Sequence, residues 1–275
     1  MNGFKTTKRI AFFLFACILI SAFISKDKDK IKLVDFKNFY DSINTKGCMV
    51  IYDTKNKTYY LYDSSTLNKV FTPASTFKIP STLMALETGT ATDENFEIKW
   101  DSIERWSPNW SKDHTLKMAF QNSTVWYYQE LARRMGSNKM KELLDKMQYG
   151  NMDTSGGVDL YWLTGGMRIS PIQEIDFLRR LHTRQLPLSE RTIRLCENIM
   201  LADSTSEYKL RAKTGWSATQ NPEVAWYVGY FETKDNVYYF ANLVFPNEKS
   251  SKKLFQDRKD VVYKVFKSLG LLSFQ

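Results

Sequence analysis

The chain has 275 residues, 43% of them hydrophobic and 15% aromatic, enough to bury a substantial core. Its formal net charge is +9, but residues 1–30 carry six basic and two acidic side chains, which leaves +5 interspersed with acids over the rest. That modest balance reads as solubility, with no nucleic-acid partner implied.

In chain order, Lys5, Lys8 and Arg9 precede an apolar run from Ile10 to Ile24. This is the pattern of an export signal over residues 1–25, with cleavage expected at about 22–25. The run is shorter than a membrane span and no second one follows. The expectation is therefore an exported, periplasmic protein with no stable membrane span after signal removal. Leu14-Phe-Ala-Cys17 is an imperfect lipoprotein box because Phe15 fits it badly, so lipid anchoring at Cys17 is the lesser reading. Lys26 to Lys30 alternates Lys and Asp as a linker would, and no internal repeat appears.

Strands are predicted at 48–53 and 58–63, then a helix that starts near Ser75 and stops at Gly89. A mainly helical middle follows from about 90 to 200, with helices near 123–135, 138–147, 171–184 and 189–200. Strands return at about 208–214, 225–233 and 237–245, and a last helix spans about 257–269. Strands at both ends of a helical middle imply an α+β fold, an antiparallel sheet flanked by helices with an inserted mainly helical lobe. The sheet lobe covers about 31–75 and 205–275, and the helical lobe about 76–204, within a single domain over 26–275. Cys48 falls in a strand and Cys196 in a helix, and both are expected to be buried free thiols.

The densest chemistry lies in Phe71-Thr-Pro-Ala-Ser75-Thr-Phe-Lys78-Ile-Pro80. Residues three apart share a helix face, so Ser75 and Lys78 can enter one pocket. A serine needs a neighbouring base to be a useful nucleophile, and Lys78 is the local candidate. The chain contains four copies of Ser-x-x-Lys, starting at Ser25, Ser75, Ser206 and Ser250, and the one at Ser75 differs by its apolar flanks, Phe77 and Ile79. A helix start also favours developing negative charge. The two histidines, His114 and His182, sit near no Gly-x-Ser-x-Gly elbow, which argues against a Ser-His-Asp triad; His114 is read as a structural loop residue and His182 as a helix-surface residue. No His/Cys/carboxylate cluster has metal-ligand spacing, so no metal is expected.

Ser123-Thr-Val125 lies 48 residues after Ser75, and Lys213-Thr-Gly215 lies 138 residues after it. This ordered set resembles the serine penicillin-recognising enzymes. Further motifs are Trp110-Ser-Lys-Asp113-His-Thr-Leu116, Tyr149-Gly-Asn151, Ser155-Gly-Gly, Tyr161-Trp-Leu163 and Trp226-Tyr-Val-Gly229. Together they resemble the class D (oxacillinase-type) β-lactamases over about residues 45–265. Val125 departs from the Asn that ends the second element in penicillin-binding proteins and class A enzymes.

The resemblance implies hydrolysis of the β-lactam amide through an acyl-serine intermediate on Ser75. Lys78 matches the lysine that becomes N-carboxylated and serves as general base, which requires carbon dioxide or bicarbonate and no other cofactor. The chemistry is consistent with the residues: a free lysine has a pKa near ~10.4, and burial can lower it by about 3–5 units to give a reactive neutral amine. Val125, Trp162 and Leu163 would form a dry wall, with the Trp162 indole N–H donating to the carbamate. Backbone N–H groups of Ser75 and Trp216 would hold the oxyanion. Ser123 would relay a proton to the lactam nitrogen under the influence of Lys213, and Thr214, Gly215 and Arg258 would receive the substrate, with Arg258 binding its carboxylate. The implied partners are small-molecule β-lactams; oligomeric state and substrate range stay open. The alternatives are a β-lactam sensor domain that acylates without hydrolysis and a penicillin-binding transpeptidase or carboxypeptidase.

Overall fold

The computed structural model describes residues 29–218, 222–250 and 253–272. The expected signal over 1–25 and Cys17 lie outside the described residues.

The main sheet has seven strands: β1 Lys30–Leu33, β2 Lys46–Asp53, β3 Thr58–Tyr62, β6 Leu201–Ser204, β7 Tyr208–Ser217, β8 Val224–Thr233 and β9 Val237–Phe245, in the order β1-β3-β2-β9-β8-β7-β6. Two short strands, β4 Glu97–Ile98 and β5 His114–Thr115, pair separately. The main sheet is antiparallel as expected except at one edge, where β1 runs parallel to β3. After β1, helix α1 (Lys37–Asp41) carries the chain to β2, leaving a place that β3 then fills. β1 and β6 were not anticipated from the sequence; both are four-residue edge strands with mostly exposed side chains, so neither shows a buried alternation.

Strands β2, β8 and β9 read as nearly continuous apolar runs because both faces of the sheet are covered. Successive side chains point to opposite faces. Cys48, Val50, Tyr52, Trp226, Val228, Tyr230, Ala241 and Leu243 thus join the core shared with the helical lobe. Met49, Ile51, Ala225, Tyr227, Phe240 and Val244 join a second core under α1 and the C-terminal helix α8 (Leu254–Ser268), whose Val261, Val262, Val265 and Phe266 fill it.

Residues between β3 and β6 supply the helical lobe. Helix α2 (Lys78–Glu87) is its axis, buried from Lys78 to Leu86. Around it lie α3 (Leu116–Gln121), α4 (Val125–Met135), α5 (Ser137–Met147), α6 (Pro171–His182) and α7 (Glu190–Ile199). The α6 boundary is written in the sequence: Ser170 caps it in a reciprocal box with Gln173, and Pro171 takes the first turn. α6 lies against β2 and β9, and its last residue corrects one expectation. His182 is half-buried rather than a surface residue: its Nδ1 is 2.8 Å from the Tyr239 hydroxyl and its ring packs on Tyr230. Cys48 and Cys196 are both buried and free.

Candidate active site

Ser75 sits in a 3-10 turn, Ala74–Phe77, that runs directly into α2, so the expected helix start divides into two kinds of helix. The turn is pinned from both sides. The Trp226 indole of the sheet donates to Thr72 O at 3.0 Å, and the Ala74 N–H donates to Trp162 O at 3.1 Å. Ala74 has a φ of 49°, a conformation that a non-glycine residue adopts only when its surroundings impose it. The half-buried Ser75 hydroxyl thereby meets Lys78, whose Nζ donates to Ser75 Oγ at 2.9 Å. Lys78 is wholly buried, with its Nζ 5.1 Å from the Tyr128 ring centroid. Burial alone pushes its amine down from 10.5 to about 7.

Trp162 is 1% exposed and stacks on Phe77 with ring centroids 5.2 Å apart. Its indole N–H has no hydrogen-bond partner among the described residues, a condition that a buried donor rarely tolerates. Expected among the substrate-binding residues, Trp162 is buried and is not among the residues that line the cleft.

A second serine–lysine pair comes from distant segments. Ser123 follows α3 with a φ of 56° and precedes α4. Trp110 braces this turn, because its indole donates to Asn122 O at 3.0 Å while Trp126 donates to Trp110 O at 2.8 Å. Lys213, on β7, donates to Ser123 Oγ at 2.5 Å and to Thr214 O at 3.0 Å. Burial, aided by the charges of Lys78, Arg258 and Lys259, pushes the Lys213 amine well below its usual range.

The outer edge of β7 explains how the two pairs meet. β6 pairs with β7 only as far as Arg211, so the run from Lys213 to Ser217 has an edge free of strand pairing. That run lies along the Ser75 turn. A Cβ on Gly215 would lie 2.8 Å from Pro73 O and 3.1 Å from the Thr76 methyl, so glycine is required for the approach.

The resulting cleft, about 590 Å³, is lined by Ser75, Ser123, Val125, Leu163, Thr214, Gly215, Trp216 and Arg258. These are all sequence-predicted residues. Arg258 is 4% exposed; its Nη1 donates to Gly215 O at 2.8 Å and its Nε has no partner among the described residues. Asn242 on β9 fixes the helix that carries it, donating to Arg258 O at 2.8 Å while accepting from the Tyr40 hydroxyl at 2.7 Å. Burial lowers the guanidinium to about 10, still charged at neutral pH.

The geometry coincides with a family match: the penicillin binding protein transpeptidase domain matches residues 47–267. β-Lactamase OXA-48 of Klebsiella pneumoniae is 38% identical over 231 residues, 84% of this chain and 86% of the relative. β-Lactamase OXA-10 of Pseudomonas aeruginosa is 35% identical over 230 residues, 82% and 85% of the two chains. Among solved structures, a class D β-lactamase from Sebaldella termitidis superposes with a TM-score of 0.84 at 35% identity, covering 90% of this chain and all of that one. The class D enzyme YbXI from Nostoc gives 0.83 at 39% identity, covering 87% of this chain and all of its own.

The chain belongs to the class D β-lactamases.

It is therefore a serine β-lactamase, a hydrolase, and the sequence reading of fold and activity holds. What that reading missed in this class D site is its outer rim. Trp106 is 77% exposed and packs on Trp110 across the cleft mouth, while Phe255 lies 4.1 Å from the Trp216 ring. Both line the cleft, as do Gln121, Gln256 and Lys259. The closely spaced Trp106 and Trp110 were the available signal. Phe255 stood in a lysine-rich segment with no periodic cue.

Proposed function

We propose that the chain opens β-lactam rings through an acyl intermediate on Ser75, with Lys78 carboxylated as the catalytic base. The observation that carries this reading is a lysine amine wholly buried and pushed down to about 7, beside Phe77, whose ring stacks on Trp162, a buried indole whose N–H has no partner among the described residues. A neutral amine can take up carbon dioxide, and the resulting anion needs a donor in a place where water is scarce. Carboxylated, Lys78 supplies a base that accepts the Ser75 proton in acylation and draws a proton from water in deacylation. Ser75 is already oriented by its 2.9 Å contact with Lys78. The Ser75 and Trp216 backbone N–H groups stabilise the oxyanion, each such donor contributing about 10²–10³ in rate when preorganised. Ser123, held by Lys213, delivers a proton to the departing lactam nitrogen. Arg258 binds the substrate carboxylate, helped by Thr214. Export through a signal over residues 1–25 belongs to the same reading, and among the described residues no helix is long and apolar enough to cross a membrane.

The test is a time course with excess chromogenic β-lactam in bicarbonate buffer. Many turnovers per molecule, lost in Ser75→Ala, are expected. A burst of one equivalent followed by a plateau would instead mean acylation without release, the behaviour of a sensor or a penicillin-binding protein.

A further inference from the structure

Beneath the nucleophile turn lies a carboxyl that the scheme above leaves unused. Glu174, on α6, is completely buried. Its Oε1 is 2.8 Å from Thr76 Oγ1 and 3.0 Å from the Tyr149 hydroxyl. Thr76 Oγ1 is in turn 2.9 Å from Pro73 O. Thr76 directly follows Ser75, and Pro73 opens the turn that presents it.

Counting protons favours one state of the acid. Three contacts join Pro73 O, Thr76 Oγ1, Glu174 Oε1 and the Tyr149 hydroxyl, and each requires one hydrogen. The carbonyl brings none and the two hydroxyls bring one each. The remaining approach, between the Tyr149 and Thr76 hydroxyls at 3.4 Å, brings no further hydrogen whichever of the two donates. With a separate hydrogen for each contact, the third comes from the carboxyl, whose other oxygen, Oε2, has no hydrogen-bond partner among the described residues.

We propose that Glu174 is a positioning residue for Ser75 that acts as a neutral acid, donating to Thr76 so that the Thr76 hydroxyl can close the turn onto Pro73 O. Loss of that proton leaves one of the three contacts without a hydrogen and loosens the turn that holds Ser75. The effect reaches the cleft, because Pro73 O and Thr76 are the atoms against which Gly215 packs.

The surroundings favour the neutral form. Burial pushes the Glu174 carboxyl up to about 7, against the opposing pull of its bonds to Thr76 and Tyr149. The titratable groups facing it are Tyr149 and, beyond that, Tyr161, and burial drives both phenols upward, away from neutral pH. Phe77 and Phe177 pack on Tyr149 from the turn and from α6. Lys78, two residues past Thr76, is engaged with Ser75.

The proposal rests on Ser75 being the nucleophile, so it takes two readouts. The first is kcat/KM for a β-lactam between about pH 5.5 and 9.5 in wild type and Glu174→Gln, whose amide N–H can donate to Thr76 but cannot titrate. Wild type is expected to lose activity as pH rises above about 7, where burial places this acid, and the variant to show that limb displaced upward by about one unit or more. Lys78 works in the opposite sense, since its neutral amine grows with pH, so the sign separates the two groups. Coincident basic limbs, or a wild-type profile with none, would overturn the proposal. The second readout needs no turnover: wild-type minus Glu174→Gln infrared spectra should contain a protonated-carboxyl band at pH 6 that disappears by about pH 9. No band at pH 6 would sink the neutral-acid assignment whatever the identity of the nucleophile.

Discussion

The two serine–lysine pairs in the cleft are built in opposite ways. Ser75 and Lys78 are three residues apart, and one turn of helix brings them to 2.9 Å. Ser123 and Lys213 are 90 residues apart and meet only because a helical-lobe turn faces the free edge of β7. The local pair is dry: Lys78 donates to Ser75 Oγ, and desolvation alone lowers its amine. The long-range pair is polar and crowded, since Lys213 also bonds Thr214 and lies among other cations. The proposed carbon dioxide-capturing base fits the first environment, and the proposed proton relay, held in place by the fold, fits the second.

The largest effect should come from the local pair. Ser75→Ala is expected to lower kcat by about 10⁴-fold or more, since removing a nucleophile abolishes the covalent route. Ser123→Ala should cost less, about 10²–10³-fold, because water can replace a proton relay in part. Steady-state kinetics of both variants on one substrate check the ranking, and equal losses would erase the distinction between the pairs. A double-mutant cycle sharpens it. Ser123→Ala and Lys213→Ala should be strongly non-additive, with the double variant little worse than the poorer single one, because the two side chains act through one contact.

Arg258→Ala should act on binding more than on chemistry. KM is expected to rise by roughly 10–100-fold with a smaller change in kcat, the value of a charge-assisted contact to a carboxylate. A substrate analogue lacking the carboxylate should feel the substitution little.

Lys78→Met tests the dryness of the local pair through stability. In the folded chain the amine sits at about 7 against an ordinary 10.5, so below pH 7 the folded state bears a penalty on the order of 5 kcal/mol. Between about pH 7 and 10.5 the unfolded chain binds the extra proton, and wild-type stability from this group rises with pH. The Met variant should therefore melt above wild type at pH 6, with the gap narrowing as pH rises. Denaturation at two pH values checks both the sign and the trend.

The same contrast explains what was legible in the sequence. Ser75–Lys78 could be read directly because helical spacing is a local property. The β2, β8 and β9 runs and the capped start of α6 were legible for the same reason. The Ser123–Lys213 contact was not, and those residues were found only through the order of short motifs that resemble a family. β6 escaped notice because an exposed edge strand of four residues carries no pattern. Trp162 was expected in the dry wall; that it is buried and not among the residues lining the cleft could not be read from a tryptophan between Tyr161 and Leu163. Glu174 was invisible as a buried acid: its neighbours Thr76 and Tyr149 come from segments 98 and 25 residues away.

The most direct test of the central claim is to look for the carboxyl group on Lys78. Enzyme stripped of carbon dioxide and then given ¹³C-bicarbonate should regain turnover and gain one carbamate NMR signal together, with the signal absent in Lys78→Ala. Full activity in carbon dioxide-free buffer, with no carbamate signal after bicarbonate addition, would contradict it.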